Sequence, residues 1–290
     1  MALIGTLTSG VSALRTFGKG LEVIGNNIAN INTTGYKSSN ASFAESFSNT
    51  LRGSAPSDGT ASSQASMQVG TGVQLASIST NFSQGALSST GNVTDLGISG
   101  GGFFIVKDAT STIQFATRDG SFRIDDQGYL ITQGGLRVQG LTGGSSGTPP
   151  SAIGDIQIGQ NLPAGAELQS ISFDKGGNLI EFFSDGTSAA TNRVQLQNFN
   201  DTAALTREGS NLYSALGAAG PIGGGILAGS NDPNTSGLGA IQSGVLEQSN
   251  VDLTAQFSDL ITTQRSFQAG SRLITVSDSV LEDVVNLKRS

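Results

Sequence analysis

Apolar residues recur every seven positions at both ends of this chain, and this repeat restricts how the chain can fold. In the first 32 residues two interleaved series, alternately four and three positions apart, form a heptad seam. Its apolar members are Leu3, Leu7, Leu14, Phe17, Leu21, Ile24, Ile28 and Ile31. Near the other end, the same period gives Leu253, Leu260, Phe267, Ile274 and Leu281. Each end therefore predicts a long amphipathic helix, and we expect the two helices to pair because each must bury its stripe.

The predicted helices carry few charges on their outer faces. Residues 1–32 contain just Arg15, Lys19 and Glu22, whereas a solvated helix face normally carries more charge. In the C-terminal helix the companion heptad series is only half apolar, and it consists of Phe257, Gln264, Ser271, Asp278 and Val285. These faces predict packing against further helices, and hence self-assembly. The alternative is a pair of core helices within a single globule.

Asparagine is concentrated where the first helix is predicted to end. Asn26, Asn27 and Asn30 precede Gly35, although asparagine is a mediocre helix former. Because Asn and Gly tolerate left-handed backbone, we expect the helix to end here, with Gly35 near its cap. We also expect the Asn side chains to hydrogen-bond to a neighbouring chain, since an amide does so without burying a charge.

Between the end helices the sequence has the features of a β-domain. Short runs with alternating apolar residues are separated by turn residues, as around the predicted turn at Asp125–Gly128. The segment Asn192–Phe199 predicts another strand. Residues 48–68 and 142–150 are rich in small and polar residues, which is typical of linkers and mobile loops.

The expected fold class is α+β, mainly β, with a coiled-coil-like pair of terminal helices and a central all-β domain with Gly-rich turns. We expect residues 1–32 and 251–290 to form a terminal helical assembly domain. Residues 33–69 are then a connecting linker. Residues 70–250 are the central β-domain, with 142–150 as a flexible insertion loop.

The composition excludes several kinds of function. The 290 residues include no His, Cys or Trp, and the net charge is −7. A chain without Cys has no disulfide or thiolate metal site, and an acidic chain is a poor nucleic-acid binder. Gly97–Gly101 matches the spacing of a serine-hydrolase turn, but the chain has no His to act as its base. We therefore expect no enzyme activity and no catalytic, cofactor-binding or metal site.

The sequence also bears on the compartment. No run of 18 apolar residues is present, so we expect no membrane insertion. The N-terminal residues lack the basic start and continuous apolar stretch of a secretory signal. If the chain is exported, we expect export without a cleaved signal peptide.

Three segments resemble signatures of the axial proteins of the bacterial flagellum, the rod and hook family. The first is "NNIANINTTGYKSSNASF", the second is "TNFSQGALSSTGNVTDLGISGGGFF", and the third extends from "LEQSNVDL" to "NLKR". They occur in the family's order and cover both ends and most of the middle. The family-motif residues matched are Asn26, Asn27, Asn30, Gly35, Tyr36, Lys37, Asn250, Gln264 and Arg265.

This resemblance implies a structural protein of flagellar motility, located in the hook or basal body outside the cell. Its terminal helices would form the inner coiled coil of a hollow helical tube, and its β-domain the outer shell. The implied partners are further copies of the chain, the flagellar rod, hook-cap and hook–filament junction proteins, and the type III export apparatus. No nucleic acid or membrane is implied.

Within the family, "ASFAESFS" and the basic end "NLKR" resemble the hook type, which acts as a universal joint that transmits torque from motor to filament. The middle of the chain is short for a hook protein, and this resembles the distal rod, or drive-shaft, type. We therefore expect a hook subunit, with a distal rod subunit as the alternative. An extracellular β-rich adhesin with helical ends is the alternative outside the family, and it predicts a stable monomer.

Overall fold

The computed structural model describes residues 2–54, 56, 63–145, 148–160, 165–227, 231–235 and 237–287, with backbone alone for residues 2–4. The chain divides into two units. Unit 1 consists of Met1–Ala29, Ser39–Asn81 and Val251–Ser290, and unit 2 of Asn30–Ser38 and Phe82–Asn250. Residues 288–290 of the predicted helical domain, 57–62 of the predicted linker and 146–147 of the predicted insertion loop lie outside the described residues.

Unit 1 contains two long helices and two antiparallel strand pairs within its described residues. The helices are α1 (Ala2–Ala29) and α2 (Leu253–Leu287). The strands are β1 (Ser39–Glu45), β2 (Ser48–Arg52), β3 (Met67–Gly70) and β4 (Val73–Thr80). β1 pairs antiparallel with β4, and β2 pairs antiparallel with β3.

The β1–β4 strand pair packs on α1 through both polar and aromatic contacts. Thr16 Oγ1 donates to the Val73 carbonyl at 3.2 Å. The rings of Phe17 and Phe43 meet edge to face, with centroids 5.6 Å apart, an arrangement that aromatic pairs favour. This strand pair is therefore part of the helical unit.

Within its described residues, unit 2 contains sixteen short strands and one turn of 3-10 helix at Thr202–Ala204. The strands are β5 (Leu87–Ser89), β6 (Leu96–Ser99), β7 (Phe103–Lys107), β8 (Gln114–Thr117), β9 (Phe122–Ile124), β10 (Leu130–Thr132), β11 (Arg137–Thr142), β12 (Ala152–Asp155), β13 (Leu168–Phe173), β14 (Asn178–Phe183), β15 (Ser188–Val194), β16 (Leu196–Gln197), β17 (Thr206–Gly209), β18 (Leu212–Ser214), β19 (Ala240–Ser243) and β20 (Val245–Glu247).

The main sheet has twelve strands, with β13-β14-β15-β11-β7-β8-β18-β17 as its path. β9 and β10 pair with each other, β10 and β12 pair with β11, and β16 pairs with β7. β6 pairs with β19, and β5 pairs with β20, in two small sheets. All of these pairs for which a register is defined are antiparallel, which fits the short, turn-rich sequence.

β7 separates two apolar clusters of unit 2. Phe104 and Val106 lie in one cluster with residues such as Leu196, and Phe103 and Ile105 lie in the other with residues such as Tyr213. All four of these strand residues are buried. Because the strand is buried on both faces, its sequence is a nearly continuous run of apolar residues.

The predicted hairpin at Asp125–Gly128 is present, and it joins β9 to β10. Gly128 donates its N–H to the Asp125 carbonyl at 2.9 Å. Its φ is +82°, a left-handed conformation that glycine adopts without steric cost. The turn residues therefore correctly predicted the position of this hairpin turn.

Two local expectations differ from the structure. Residues 33–69 contain β1, β2 and most of β3, although their composition suggested a linker. The strand expected at Asn192–Phe199 begins earlier, in β15, and breaks at Gln195 before β16. Strand pairing depends on distant partners, so a Ser- and Thr-rich segment can be a strand once a partner is available. The division into domains stays a prediction.

The predicted fold class is confirmed: two terminal helices accompany a large β region. Neither helix, within the part of the chain that the structure describes, has the length and apolar character needed to cross a membrane.

Candidate assembly interface and signature-motif residues

α1 and α2 pack antiparallel through small and polar residues. Thr6 Oγ1 and Ser277 Oγ lie 3.2 Å apart at one end of the pair. At the other end, Asn27 Nδ2 donates to Gln256 Oε1 at 2.9 Å. Between them, Gly270 approaches α1 closely, since a Cβ there would lie 3.5 Å from the Cβ of Ala13. Small side chains at the contact allow the two helix backbones to come close.

The predicted seam residues flank this contact and are incompletely covered within the chain. Half-buried seam residues are Leu7, Leu14, Phe17, Leu21, Ile24, Ile28, Ile31, Leu260, Ile274 and Leu281, whereas Leu253 and Phe267 are exposed. Ile31 belongs to unit 2. The side chain of Leu3 lies outside the described part of the structure.

The expected companion series of α2 is wrong for the contact with α1. Phe257, Gln264, Ser271, Asp278 and Val285 are all exposed. The series three residues after each seam residue lies inside over the first part of α2 instead, where its buried members are Gln256, Gly270 and Ser277, whereas its last member, Val284, is exposed. Sequence reasoning missed these residues because it searched for apolar side chains, although they share the heptad period of the seam.

Asn27 is the buried polar centre of unit 1. Its Oδ1 accepts from the Ser39 N–H at 2.9 Å, and its Nδ2 donates to the Ser39 carbonyl at 2.8 Å as well as to Gln256. One amide therefore satisfies both backbone groups at the start of β1 and also links α1 to α2. We expected the motif asparagines to bind a neighbouring chain, but Asn27 makes these bonds within its own chain.

Residues 30–38 follow α1 and belong to unit 2. Thr33 Oγ1 donates to Asn30 Oδ1 at 3.1 Å. Gly35 has φ +67° and donates its N–H to the Glu247 carbonyl at 2.7 Å. A Cβ at Gly35 would lie 2.7 Å from the backbone N of Asp119. A glycine is required here both by its left-handed conformation and by this close approach.

Lys37 lies at the centre of a buried ionic cluster of unit 2. Its Nζ is 2.6 Å from Glu247 Oε1, and their side chains are 0% and 1% exposed. Arg118 Nη1 lies 3.3 Å from Glu247 Oε2. The Lys37 ammonium also donates to the Ser83 carbonyl, and the Gly85 N–H donates to Glu247 Oε1, both at 2.8 Å.

The electrostatics of this cluster are dominated by burial. Burial lowers the pKa of Lys37 below its ordinary value of 10.5, and the hydrogen bond to Glu247 partly offsets this effect. Burial also lowers the pKa of Arg118. Two cations share one carboxylate, so the cluster depends on Glu247 more than on either cation.

Two other motif residues complete the attachment of residues 30–38. The Arg207 guanidinium stacks over the Tyr36 ring, 4.9 Å from its centroid, and donates to the Lys37 carbonyl. Asn250 Oδ1 accepts from the Ser38 N–H at 2.8 Å. The motif residues near Lys37 and Asn250, far apart in sequence, thus lie together in unit 2.

The remaining motif residues lie elsewhere. Asn26 is exposed on α1, and Gln264 and Arg265 are exposed on α2. Within the described residues, no group of three or more His, Cys, Asp or Glu side chains has a metal-binding arrangement.

Three family models match separate parts of the chain, one after another along the sequence. "Flagella basal body rod protein" matches residues 7–37, "Flagellar hook protein FlgE/F/G D1 domain" matches 97–180, and "Flagellar basal body rod FlgEFG protein C-terminal" matches 242–287. The basal-body rod protein FlgG of Bacillus subtilis is 35% identical over 287 residues, which cover 99% of this chain and all of that protein. The chain belongs to the flagellar rod and hook protein family.

Hook proteins of this family are also similar to the chain. The hook protein FlgE of Borreliella burgdorferi is 25% identical over 447 aligned residues, covering 98% of this chain and 99% of that protein. The hook protein FlgE of Helicobacter mustelae is 44% identical over 139 residues, which are 48% of this chain and 31% of that protein.

Membership of the rod and hook family confirms the resemblance read from the three motifs. The chain is an axial structural subunit of the bacterial flagellum and therefore takes part in motility. The family matches at residues 7–37 and 242–287 cover the regions in which Lys37, Asn250 and the helices lie.

Proposed function

We propose that this chain is a subunit of the flagellar rod, most similar in role to the distal rod or drive shaft. The observation that carries this proposal is the end-to-end match with a basal-body rod protein at 35% identity. The hook protein that matches over its whole length does so at 25% identity over 447 aligned residues, although this chain has only 290. Many residues of that hook protein therefore have no counterpart in this chain.

The hook remains the second candidate, and it was the type favoured by the sequence. The 44% identity with a hook protein over 139 residues supports it. That match covers 31% of the hook protein, so it bears on a shared part of the two chains. In the hook role the chain would serve as a universal joint, and in the rod role as a stiff shaft.

The proposal includes the mode of assembly. Copies of the chain polymerise into a hollow helical tube through α1 and α2. The seam residues, which are half-buried or exposed within a single chain, support this because assembly would cover them. Neighbouring rod, hook-cap and hook–filament junction proteins are the remaining partners. Export occurs through the flagellar type III apparatus, and the chain has no enzymatic role.

Electron microscopy of basal bodies from a deletion strain tests the choice between rod and hook. We expect the strain to be non-motile and its basal bodies to have shortened rods without hooks. Full-length rods that lack only the hook would overturn the rod proposal and support the hook. Expression of the wild-type chain from a plasmid should restore rod length and motility.

A further inference from the structure

One short segment of unit 2 is flanked in sequence by elements of unit 1. Residues 30–38 belong to unit 2, whereas α1 ends at Ala29 and β1 begins at Ser39, both in unit 1. Neither apolar cluster of unit 2, within its described residues, includes a residue of this segment. The segment is therefore attached chiefly through polar and charged groups, and its departure would leave the apolar clusters intact.

The cleft that holds residues 30–38, which we call the segment site, contacts both the backbone and the side chains of the segment. Gly35 donates its N–H to the Glu247 carbonyl at 2.7 Å. Thr34 Oγ1 donates to Asp119 Oδ1 at 3.2 Å, and the Thr34 carbonyl accepts from Asn211 Nδ2 at 2.6 Å. Together with the ionic and stacking contacts described above, these bonds recognise the sequence Thr-Gly-Tyr-Lys. The residues that form the site are Asp119, Arg207, Asn211, Glu247 and Asn250.

The carboxylate of the segment site is held by contacts that do not involve the segment. Glu247 pairs with Arg118 at 3.3 Å and accepts from the Gly85 N–H at 2.8 Å. The Arg118 guanidinium lies over the Phe103 ring, 5.2 Å from its centroid. If the segment leaves, the buried carboxylate keeps a cation and the Lys37 ammonium becomes solvated. Detachment therefore leaves no unpaired charge buried, which is the situation that makes breaking a buried ion pair costly.

We propose that the segment site is a peptide-binding site of unit 2, whose ligand is the Thr-Gly-Tyr-Lys segment of the same chain. The segment detaches and returns while unit 2 stays folded. Because the segment joins α1 to β1, the site is a reversible attachment point for this connection. The inference goes beyond the proposed function, and it is the same for a rod subunit and a hook subunit.

A full-chain variant whose own segment cannot dock tests recognition. In Gly35→Val, Lys37→Met, the new Cβ meets the Asp119 backbone and the ammonium is lost. A fluorescein-labelled peptide of residues 29–39 should bind this variant saturably in fluorescence anisotropy and raise its melting temperature. The parent chain should bind the peptide roughly 100-fold more weakly, because its own segment fills the site at an effective concentration of about millimolar.

A substituted peptide and a second chain variant are the controls. The peptide that carries the same two substitutions should not bind to the variant chain. Lys175→Met, which replaces an exposed lysine of unit 2, should behave like the parent chain. Absence of saturable binding to the double variant, or equal binding of the substituted peptide, would overturn the proposal. Loss of the β-sheet signal of the double variant in circular dichroism would also overturn it, because detachment would then unfold unit 2.

Native-state hydrogen exchange of the parent chain gives a second test, which needs no peptide. The Gly35 and Ser38 amides, which are bonded within the segment site, should exchange through an opening of lower free energy than the β7 amides. Their exchange should change little with urea concentration, because detachment exposes little apolar surface, whereas exchange in β7 should follow global unfolding.

Lys37→Met should accelerate exchange of the segment amides by roughly 10- to 100-fold, because a hydrogen bond between charged groups is lost. This variant leaves the carboxylate of the site paired with Arg118, so it should fold. The segment amides should still lack the urea dependence of β7. If the segment and β7 share one opening free energy and one urea dependence in the parent chain, the segment cannot separate from the fold and the proposal is refuted.

Discussion

Glu247 is the side chain whose loss should most destabilise unit 2, and Glu247→Gln tests this. The substitution keeps the shape of the side chain and removes the one carboxylate that, among the residues with defined positions, pairs with Lys37 and Arg118. Each attraction between unit charges is worth about 4 kcal/mol at 4 Å with an effective dielectric constant near 20. The glutamine oxygen can still accept hydrogen bonds, and Lys37 keeps the Ser83 carbonyl. The net loss of unfolding free energy should therefore be about 3–5 kcal/mol.

Urea unfolding of the full chain, followed by circular dichroism, measures this loss. The control is Asp155→Asn, which breaks the Arg137–Asp155 pair of the same unit at 2.9 Å, where both side chains are 24% exposed. Partly exposed pairs are worth about 1 kcal/mol or less, so the control should lose much less stability. Equal losses in the two variants would refute the inference that the Lys37 cluster is a special element of unit 2.

The pH dependence of Glu247→Gln gives an independent check. The folded-state pKa of Lys37 is already lowered by burial, and removing the carboxylate removes an influence that raises it. In the variant, the unfolded chain therefore binds more protons than the folded chain as the pH rises toward 10.5, and stability rises with pH in that range. The deficit relative to wild type should shrink as the pH rises toward 10.5, and a constant deficit would contradict this reasoning.

Three further substitutions have expected outcomes. Asn27→Leu leaves both backbone groups of Ser39 without their amide partner and should lower the unfolding free energy by about 1–3 kcal/mol. Thermal melts followed by the helix signal in circular dichroism measure this loss. Gly35→Ala should destabilise the chain more than Gly91→Ala in urea titrations, because both glycines have positive φ but only Gly35 is in close contact with another backbone segment. Phe267→Asp should leave the melting of unit 2 unchanged and abolish polymers in electron micrographs, because assembly would bury an unpaired charge.

The features that sequence predicted well depend on short-range order. A heptad repeat is a local property, and the helices at Ala2–Ala29 and Leu253–Leu287 follow it closely. The turn at Gly128 is likewise encoded by a few adjacent residues. In contrast, β2 and β3 face each other across a segment rich in Ser, Gly and Ala, and β2 is exposed along its whole length. No local pattern of burial distinguishes such strands from a linker.

The packing of the two helices was harder to predict because it uses the residues with the smallest side chains. An apolar search finds Leu14 and Ile274, which are half-buried, and passes over Gly270 and Ser277, which are buried. Close antiparallel packing requires small residues at the contact and leaves larger ones at its edges. The same geometry leaves apolar side chains available for other contacts.

The role of Lys37 could not be read from its neighbours. Lysine side chains usually lie on the surface. Burying an ammonium group without a partner lowers the stability of the fold strongly, and the adjacent Thr-Gly-Tyr residues supply no such partner. Its partner Glu247 lies 210 residues away, so only the tertiary structure shows that the charge is paired. Gly35 and Tyr36 hold the same segment in place as Lys37 does. The glycine allows the backbone to approach Arg118 and Asp119 closely. The Tyr36 ring stacks on the Arg207 guanidinium. The motif after α1 is therefore part of the core of unit 2, and its asparagine-rich beginning, through Asn27, is part of the core of unit 1.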